Sequence, residues 1–220
     1  MQEFTGSAKT YQLIYASRPY KEEAEFVYEW AEKPTTILEL GIGQGNHARY
    51  LCNKAKITGL EGSQEMLKYA YKHENISYRC GKIDEITLRT LSKTECVMAL
   101  FNVVGYVPLY NILPYLRLDK DKYFIFDCWD KEKSQKDLPF LRAKFFGNEC
   151  YRISIPIKRE GNTLEIDYII VDKGNTVFEK HFVRNYSQEE IEIICARYGY
   201  SIADTKPTEN WTMWYKLRRL

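Results

Sequence analysis

An apolar run that ends in a glycine-rich turn constrains this chain more than any other feature. Thr36 to Leu40 (TILEL) has the composition of a buried strand, and it leads directly into Gly41-Ile-Gly43-Gln-Gly45-Asn46. The residues that follow, Asn46 to Lys54, are predicted to form a helix. A strand, a glycine turn and a helix in this order let the backbone approach a ligand closely and direct helix N–H groups towards it. The segment therefore predicts a ligand at the end of a buried strand.

The spacing of these glycines argues against a dinucleotide. A dinucleotide fingerprint reads Gly-x-Gly-x-x-Gly, and its third glycine would stand where this chain has Asn46. The glycines are at Gly41, Gly43 and Gly45 instead, and Glu39 precedes them by two residues. S-adenosylmethionine carries a sulfonium cation and an α-amino group and has no pyrophosphate, so a carboxylate at Glu39 suits it. The loop predicts this cofactor.

A second acidic residue stands at the end of the next predicted strand. Lys56 to Leu60 (KITGL) leads into Glu61-Gly62-Ser63, and an amphipathic helix is predicted over Gln64 to His73, which includes Met66. A carboxylate at this strand end is placed to accept hydrogen bonds from both hydroxyls of a ribose. We therefore expect Glu61 to bind the cofactor ribose.

The remaining pattern changes once along the chain. Strand candidates continue at Ile76 to Cys80, Cys96 to Phe101 and Tyr123 to Asp127. Strands that alternate with helices predict a doubly wound α/β sheet with parallel pairing. After Cys150 the residues alternate with period two around tight turns, which predicts antiparallel strands. Those strands are expected at Tyr151 to Lys158, Thr163 to Val171 and Val177 to Arg184.

The chain closes with a helix and two strands in this prediction. Ser187 and Glu190 have capping-box spacing at the start of the helix, and strands are expected at Tyr200 to Ala203 and Trp211 to Leu217. The expected organisation is one domain over residues 1–220. Its parts are a helical cap over 1–35, a cofactor-binding core over 36–130 and an antiparallel insertion over 150–185.

Composition disfavours several partners and compartments. Lys and Arg together number 32 against 30 Asp and Glu, a net charge of only +2, whereas nucleic-acid binders usually carry a basic excess. The six cysteines contain no Cys-x-x-Cys pair and are expected to be reduced core thiols. No apolar run reaches membrane-spanning length, and the N-terminus lacks the apolar region of a signal peptide, so we expect a cytoplasmic protein that does not contact a membrane. From the net charge we expect no nucleic-acid partner.

Two motifs resemble a known family. LELGIGQGNHARYL followed by ITGLEGSQEMLKYA is similar to the first two motifs of the class I S-adenosylmethionine-dependent methyltransferases, over about residues 36 to 130. The resemblance implies a Rossmann-like sheet of seven strands with a reversed last hairpin. It also implies transfer of a methyl group from S-adenosylmethionine, which leaves S-adenosylhomocysteine.

A narrower resemblance covers most of the chain. YQLIYASRPYKEEAEF, ALFNVVGYV and IKREGNTLEIDYIIVD are similar to segments of the nucleotide-linked amino-sugar N-methyltransferases of deoxysugar pathways. It implies an N-terminal segment whose tyrosines, Tyr11 and Tyr15, cover the cofactor, and an insertion after strand 5 that pairs subunits into a homodimer. It also matches Gly105-Tyr106 to a dipeptide after strand 4.

The site expected from the motifs and the resemblance combined has three parts. The cofactor-binding residues are Tyr11, Tyr20, Glu39, Gly41, Gly43, Gly45, Glu61, Gly62, Met66, Ile83 and Phe101. The catalytic candidates are Tyr15, Tyr106 and His181, and the substrate-binding candidates are Tyr15 and Arg184. No metal ligand is expected. Where the family has Gly-Asp after strand 3, this chain has Gly81-Lys82, so Asp84 is considered as a substitute for the missing adenine-binding carboxylate.

Several acceptors remain open at this stage. The first hypothesis is the amine of a nucleotide-linked amino sugar, because an amine lone pair needs little help from a base. The second is the hydroxyl of a sugar, for example rhamnose in a glycan, or another small molecule; His181 would then be the candidate base.

Metal-assisted transfer through Asp127 and Asp130 is a weaker hypothesis, since no third ligand presents itself. DNA amino-methylation is disfavoured because Asn102-Val-Val-Gly105 stands where its Pro-Pro-Tyr motif would be. The chain could also be a relative of these enzymes that has lost methyltransferase activity, because Lys82 stands where the family has its adenine-binding Asp.

Overall fold

A computed structural model gives the fold, and it describes residues 4, 6–91, 93–137, 142–147, 150–208 and 211–220. Residues 1–3 and 5 of the expected N-terminal cap lie outside this range. The cap contains the helices α1 (Tyr11–Ile14) and α2 (Tyr20–Trp30). The other helices are α3 (Ala48–Leu51), α4 (Gln64–Lys68), α5 (Glu85–Leu91), α6 (Val103–Tyr106), α7 (Lys131–Asp137) and α8 (Gln188–Arg197).

The main sheet has the predicted topology. Its strands are β1 (Thr36–Leu40), β2 (Lys56–Glu61), β3 (Ile76–Cys80), β4 (Cys96–Ala99), β5 (Tyr123–Trp129), β10 (Tyr200–Pro207) and β11 (Thr212–Arg219). These seven strands lie in the order β10-β11-β5-β4-β1-β2-β3. The first five in the chain pair in parallel, while β11 is antiparallel to both β5 and β10. The Rossmann-like class I methyltransferase sheet with a reversed last hairpin is therefore confirmed.

Apolar packing covers both faces of this sheet. On one face Leu38, Val97 and Phe124 join a core cluster that includes residues of α8. On the other face their neighbours Ile37 and Met98 join a cluster formed with α2 and α3. Continuous apolar runs are what a sheet buried on both faces requires, and this explains why TILEL and CVMA contain few polar residues.

Two predicted helices are shorter than their sequence pattern indicated. The helix expected over Asn46 to Lys54 is regular only in α3, with irregular turns on both sides. The helix expected over Gln64 to His73 ends at Lys68. Its chain leaves the helix because the Tyr71 N–H donates to the Gln44 carbonyl oxygen at 2.9 Å, which ties it to the glycine turn. This tertiary contact overrides the local pattern.

The expected antiparallel insertion is present and forms a second sheet. It consists of β6 (Arg142–Phe146), β7 (Cys150–Glu160), β8 (Thr163–Asp172) and β9 (Asn175–Arg184), paired in that order. The register of the three long strands places Arg152, Tyr168 and His181 on one face, which packs against the main body. Ser187 caps α8 as predicted, because its Oγ accepts from the Glu190 N–H at 3.2 Å.

The burial of the cysteines agrees with the expectation from composition at every position except Cys80. Five of the cysteines are buried free thiols, and Cys80 is an exposed one. Among the residues that the structure describes, none of the helices has the length and apolar character to cross a bilayer.

Candidate functional site

The glycine turn, here the loop Gly41–Gly45, lies at the carboxyl end of β1 as predicted. All three glycines have left-handed backbone angles, with φ of +66°, +58° and +76°. A Cβ at Gly41 would lie 2.5 Å from Val103, and one at Gly45 would lie 2.3 Å from the Tyr78 hydroxyl. These positions therefore need glycine for its backbone freedom and for close packing.

Glu61 holds this loop in place. Its Oε2 accepts from the Gly43 N–H at 2.9 Å, and its Oε1 accepts from the Ser63 N–H at 2.8 Å. Burial raises the pKa of the Glu61 carboxyl, although these N–H donors lower it in part. Each oxygen retains a second lone pair, so the side chain can still accept hydrogen bonds from a ligand.

A cavity of about 400 Å³ opens between the loop, the ends of β2 and β3, and α6. We call it the glycine-loop cavity. The predicted site residues in its lining are Tyr11, Gly41, Gly43, Glu61, Gly62, Met66, Ile83, Phe101 and Tyr106. Lys82 and Phe4 also line it. Most of the expected cofactor residues therefore meet at one cavity.

The other candidates lie elsewhere. Glu39, Gly45 and Tyr20 are next to the loop and outside the cavity lining. Tyr15 lines a second cavity instead. Arg184 forms an ion pair with Glu190 and lines neither cavity. Asp84 is exposed, and its Oδ1 accepts from the Thr87 N–H at 3.0 Å at the start of α5.

Glu39 is a buried carboxyl next to the glycine loop, behind the cavity lining. Its carboxyl is almost fully buried; Oε1 lies 3.6 Å from His47 Nδ1, and Oε2 has no hydrogen-bond partner in the described structure. Burial raises the pKa of this carboxyl, against the effect of His47. A buried acceptor without a partner is costly, so the site suits a ligand with a cationic donor. The ammonium and sulfonium of S-adenosylmethionine fit this carboxylate, and Glu61 fits its ribose.

Charged groups, buried or partly buried, link this site to the N-terminal cap. His47 Nε2 lies 2.9 Å from Glu23 Oε2, which also accepts from Arg18 Nε at 2.8 Å. The Arg18 guanidinium then lies 3.8 Å from Asp127 Oδ2. Sequence analysis missed Arg18 and Glu23, which flank Tyr20 in the segment SRPYKEE; their two charges next to an aromatic residue are the only local signal for them.

The two strand-end carboxylates considered for a metal already have other partners. Asp127 Oδ1 accepts from the Asn102 N–H at 2.9 Å, and Asp130 Oδ1 accepts from the Lys133 N–H at 2.8 Å at the start of α7. Burial raises the pKa of Asp127 despite the nearby Arg18. No group of three His, Cys, Asp or Glu that could hold a metal ion occurs within the described ranges.

A second, larger cavity of about 720 Å³ lies between the cap, the insertion and the β10–β11 hairpin. We call it the cationic cavity, because Arg18, Lys144, Arg152 and Lys206 line it. Glu22 and Glu23 supply the acidic side chains, and Phe26 and Trp214 supply aromatic surface. Neither Lys144 nor Arg152 has a carboxylate within ion-pair distance among the described residues.

Tyr15 stands between the two cavities. Its ring contacts Tyr11 (4.7 Å between centroids) and Phe101 (4.8 Å), which both line the glycine-loop cavity. Its hydroxyl accepts from Arg152 Nη1 at 2.7 Å on the other side. The predicted catalytic tyrosine therefore forms part of the wall between a cofactor-sized cavity and a positively charged one.

Residues 37–117 match the family model described as a methyltransferase domain. A comparison with curated protein sequences found no match. The family match supports the predicted enzyme class, a methyltransferase that takes its methyl group from S-adenosylmethionine.

Solved structures share the fold over nearly the whole chain. An S-adenosylmethionine-dependent methyltransferase from Clostridium acetobutylicum is 20% identical, with a TM-score of 0.80 and coverage of 96% of both chains. CalS10, an amino pentose methyltransferase from Micromonospora echinaspora, is 16% identical, with a TM-score of 0.70 and 96% coverage of both chains. KedS8, a sugar N-methyltransferase from Streptoalloteichus, is 18% identical, with a TM-score of 0.73 and coverage of 96% of this chain and 93% of its own. At these identities the likeness establishes the fold and confirms the predicted resemblance.

The His47 imidazole predicts a pH-dependent stability. Burial would lower its pKa, but the carboxylates of Glu23 and Glu39 outweigh this and raise the pKa above its usual value. The stabilisation is therefore complete below the unfolded pKa, about 6.5, and is lost as the pH rises through the folded pKa. His47→Gln should cost about 3 kcal/mol at the acidic end of this range, since it leaves the buried Glu39 carboxylate without its ion-pair partner, while Glu23 keeps Arg18.

Thermal unfolding of the wild type and of His47→Gln from pH 6 to pH 9 measures this effect. The difference in melting temperature should shrink as the pH rises. His73→Gln serves as the control, because His73 is half-exposed and lies in none of the ion pairs of the described residues. A difference that stays constant or grows with pH would contradict the ion-pair account.

Proposed function

We propose that this chain is an S-adenosylmethionine-dependent methyltransferase that acts on the amine of a nucleotide-linked amino sugar. The observation that carries the proposal is the pair of adjoining cavities separated by Tyr15. Glu61 lines the glycine-loop cavity and Glu39 lies buried next to its loop, and these are acidic groups that suit a cationic nucleoside. In the cationic cavity, Lys144 and Arg152 have no carboxylate within ion-pair distance among the described residues, and an acceptor with phosphate groups would neutralise their charge.

Binding of the methyl donor rests on residues that act on its separate parts. Glu39, buried next to the loop with an unpartnered Oε2 among the described residues, would attract its cationic amino-acid portion. Glu61 would accept from the ribose hydroxyls, and Met66, Ile83 and Phe101 would provide apolar surface for adenine. When bound, this cofactor supplies a methyl carbon that its sulfonium has already activated. Catalysis by the protein then consists largely of positioning the acceptor in line and excluding water.

Arg152 is suited to hold the phosphate end of the acceptor. Its guanidinium lies against the rings of Tyr15 and Tyr168, at 5.3 and 5.0 Å from their centroids, and its buried Nε has no partner in the described structure. A fixed guanidinium with unused donors recognises phosphate well. Phe26 and Trp214 in the same cavity offer surfaces for a flat ring such as a nucleobase.

Transfer to a sugar hydroxyl is the second candidate. His181 favours it, because this buried imidazole lies 2.9 Å from the Tyr106 hydroxyl in the glycine-loop cavity and is a candidate base for a hydroxyl acceptor. The positive charge that Lys144 and Arg152 bring to the cationic cavity favours the nucleotide-linked acceptor instead.

Cofactor affinity tests the first half of the proposal. Glu61→Ala should weaken S-adenosylhomocysteine binding by about 1–3 kcal/mol, because the ribose hydroxyls lose an acceptor and the loop loses its anchor. Isothermal titration calorimetry measures the change. Glu65→Ala is the matched control: Glu65 is on the neighbouring helix α4, and among the described residues its ion pair is with Lys68 on the surface. Unchanged affinity in a folded Glu61→Ala protein would refute this cofactor placement.

Acceptor preference tests the second half. The wild type should transfer labelled methyl groups to nucleotide-linked amino sugars, and Arg152→Met should raise the KM for these acceptors by about tenfold or more, the effect of losing a charged hydrogen bond. The KM for the same amino sugars without the nucleotide should change much less. An equal rise in KM for acceptors with and without the nucleotide would show that Arg152 does not bind the phosphate groups. Labelling of hydroxyl acceptors alone would establish the second candidate.

The outer face of the insertion supports a homodimer as part of the proposal. The strand register places Phe145, Ile153, Ile169 and Phe178 on one face, and the side chains of Phe145 and Phe178 are 74% and 75% exposed. Apolar residues this exposed on a contiguous face mark an interaction surface.

Sedimentation tests this interface. The wild type should sediment at twice the mass of one chain, and Phe178→Asp should sediment as a monomer, because a charge replaces an aromatic contact. Ile193→Asp, at an exposed apolar position on α8, is the control and should leave the mass unchanged. A wild type that is monomeric at assay concentration would contradict a dimer.

A further inference from the structure

A chain of hydrogen bonds leads from the glycine-loop cavity into the insertion. The Tyr106 hydroxyl, at the cavity wall, lies 2.9 Å from His181 Nδ1 on β9. His181 Nε2 lies 3.2 Å from Glu179 Oε2. His181 is only 1% exposed, so its protons exchange through these partners.

Glu179 is held in turn by the N-terminal segment. The Ser7 N–H donates to Oε1 at 2.8 Å, and the Ser7 hydroxyl donates to Oε2 at 2.9 Å. Burial disfavours the carboxylate, but the hydrogen bonds from His181 and Ser7 outweigh this and lower the pKa of Glu179. An ionised Glu179 accepts from Nε2–H, which leaves Nδ1 as the acceptor for the Tyr106 O–H.

Aromatic rings fix the imidazole in this orientation. Phe4 and Tyr168 each pack edge-on against His181, with 4.7 Å between ring centroids. The titratable groups that face His181 are therefore Tyr106 from α6, Tyr168 from β8 and Glu179 from its own strand. Burial raises the pKa of Tyr168, so this phenol remains neutral. Glu179 is the one carboxylate paired with the ring in the described structure.

This arrangement matches a step that the proposed function requires. An amino-sugar acceptor is an ammonium ion in water near neutral pH, and it has no lone pair for attack on a methyl carbon until it loses a proton. The cavity that would hold the reacting methyl group also holds the outer end of the Tyr106–His181–Glu179 chain. A positioned acceptor of that proton accelerates the reaction by about 10²- to 10⁴-fold in typical cases.

We propose, on the basis of the proposed function, that Tyr106, His181 and Glu179 form a proton relay that deprotonates the acceptor ammonium. The ammonium N–H proton moves to the Tyr106 oxygen as the phenol proton moves to His181 Nδ1. The amine regains its lone pair, Tyr106 remains a neutral phenol, and His181 becomes an imidazolium that Glu179 stabilises. Tyr106 touches the acceptor and is the catalytic residue; His181 takes up the proton, and Glu179 and Ser7 are positioning residues.

The pH profile of Tyr106→Phe tests the relay. The variant can use only acceptor molecules that are already deprotonated in solution. Its kcat/KM should therefore be roughly 100-fold below that of the wild type at pH 6.5. The ratio of the two values should fall to about threefold or less once the pH exceeds the amine's own pKa. Tyr110→Phe, at an exposed tyrosine outside both cavities, should follow the wild type throughout.

A ratio that is the same at every pH, or no loss of rate, would overturn the relay, because a merely structural role does not depend on the protonation of the acceptor. S-adenosylhomocysteine affinity, measured in parallel, shows whether Tyr106→Phe still forms the cavity. If Tyr106→Phe no longer binds S-adenosylhomocysteine, Glu179→Gln provides the same test, because this substitution keeps the side-chain shape and removes the charge. The ratio of the wild-type kcat/KM to that of Glu179→Gln should fall as the pH rises, in the same way. A wild type that methylates no amine would refute the proposed function itself, whereas an active wild type with a flat ratio refutes the relay alone.

Discussion

The contact between Glu61 and the glycine loop is the interaction on which the site depends. The loop follows β1 in a left-handed conformation that ordinary residues resist, and the Glu61 carboxylate at the end of β2 fixes it through the Gly43 N–H. Because β1 and β2 are parallel neighbours, their carboxyl ends meet and place the carboxylates of Glu39 and Glu61 at the same edge of the sheet. A cationic nucleoside suits that edge better than a pyrophosphate does.

The N-terminal segment joins the parts of the molecule that this chemistry needs. Ser7 binds Glu179 of the insertion, the Ala8 carbonyl oxygen accepts from Gln44 of the glycine loop at 2.5 Å, and Arg18 reaches Asp127 at the end of β5. A segment tied to three elements covers the cavity between them. Such a cover excludes water from the cavity. Methyl transfer benefits from this, because the reaction depends mainly on orienting the two reactants in a dry site.

Local spacing explains how much of this was predictable from the sequence. The glycines, Glu39 and Glu61 lie within one strand–turn–helix–strand segment, so their pattern predicted the sheet and the position of these residues at one end of it. The contact of Tyr106 with His181 spans 75 residues of sequence, and no local pattern reports it. The same holds for Arg152, which donates to the Tyr15 hydroxyl across 137 residues of sequence. Arg184, expected to bind substrate, forms an ion pair with Glu190, which lies six residues later in the first turn of α8.

A crystal structure of the protein with S-adenosylhomocysteine tests the central claim most directly. The account predicts that the nucleoside occupies the glycine-loop cavity, with its ribose hydroxyls on Glu61, its ammonium on the side of Glu39 and its adenine between Met66 and Ile83. A ligand bound elsewhere, or a glycine-loop cavity that takes up NAD and excludes S-adenosylhomocysteine, would contradict it.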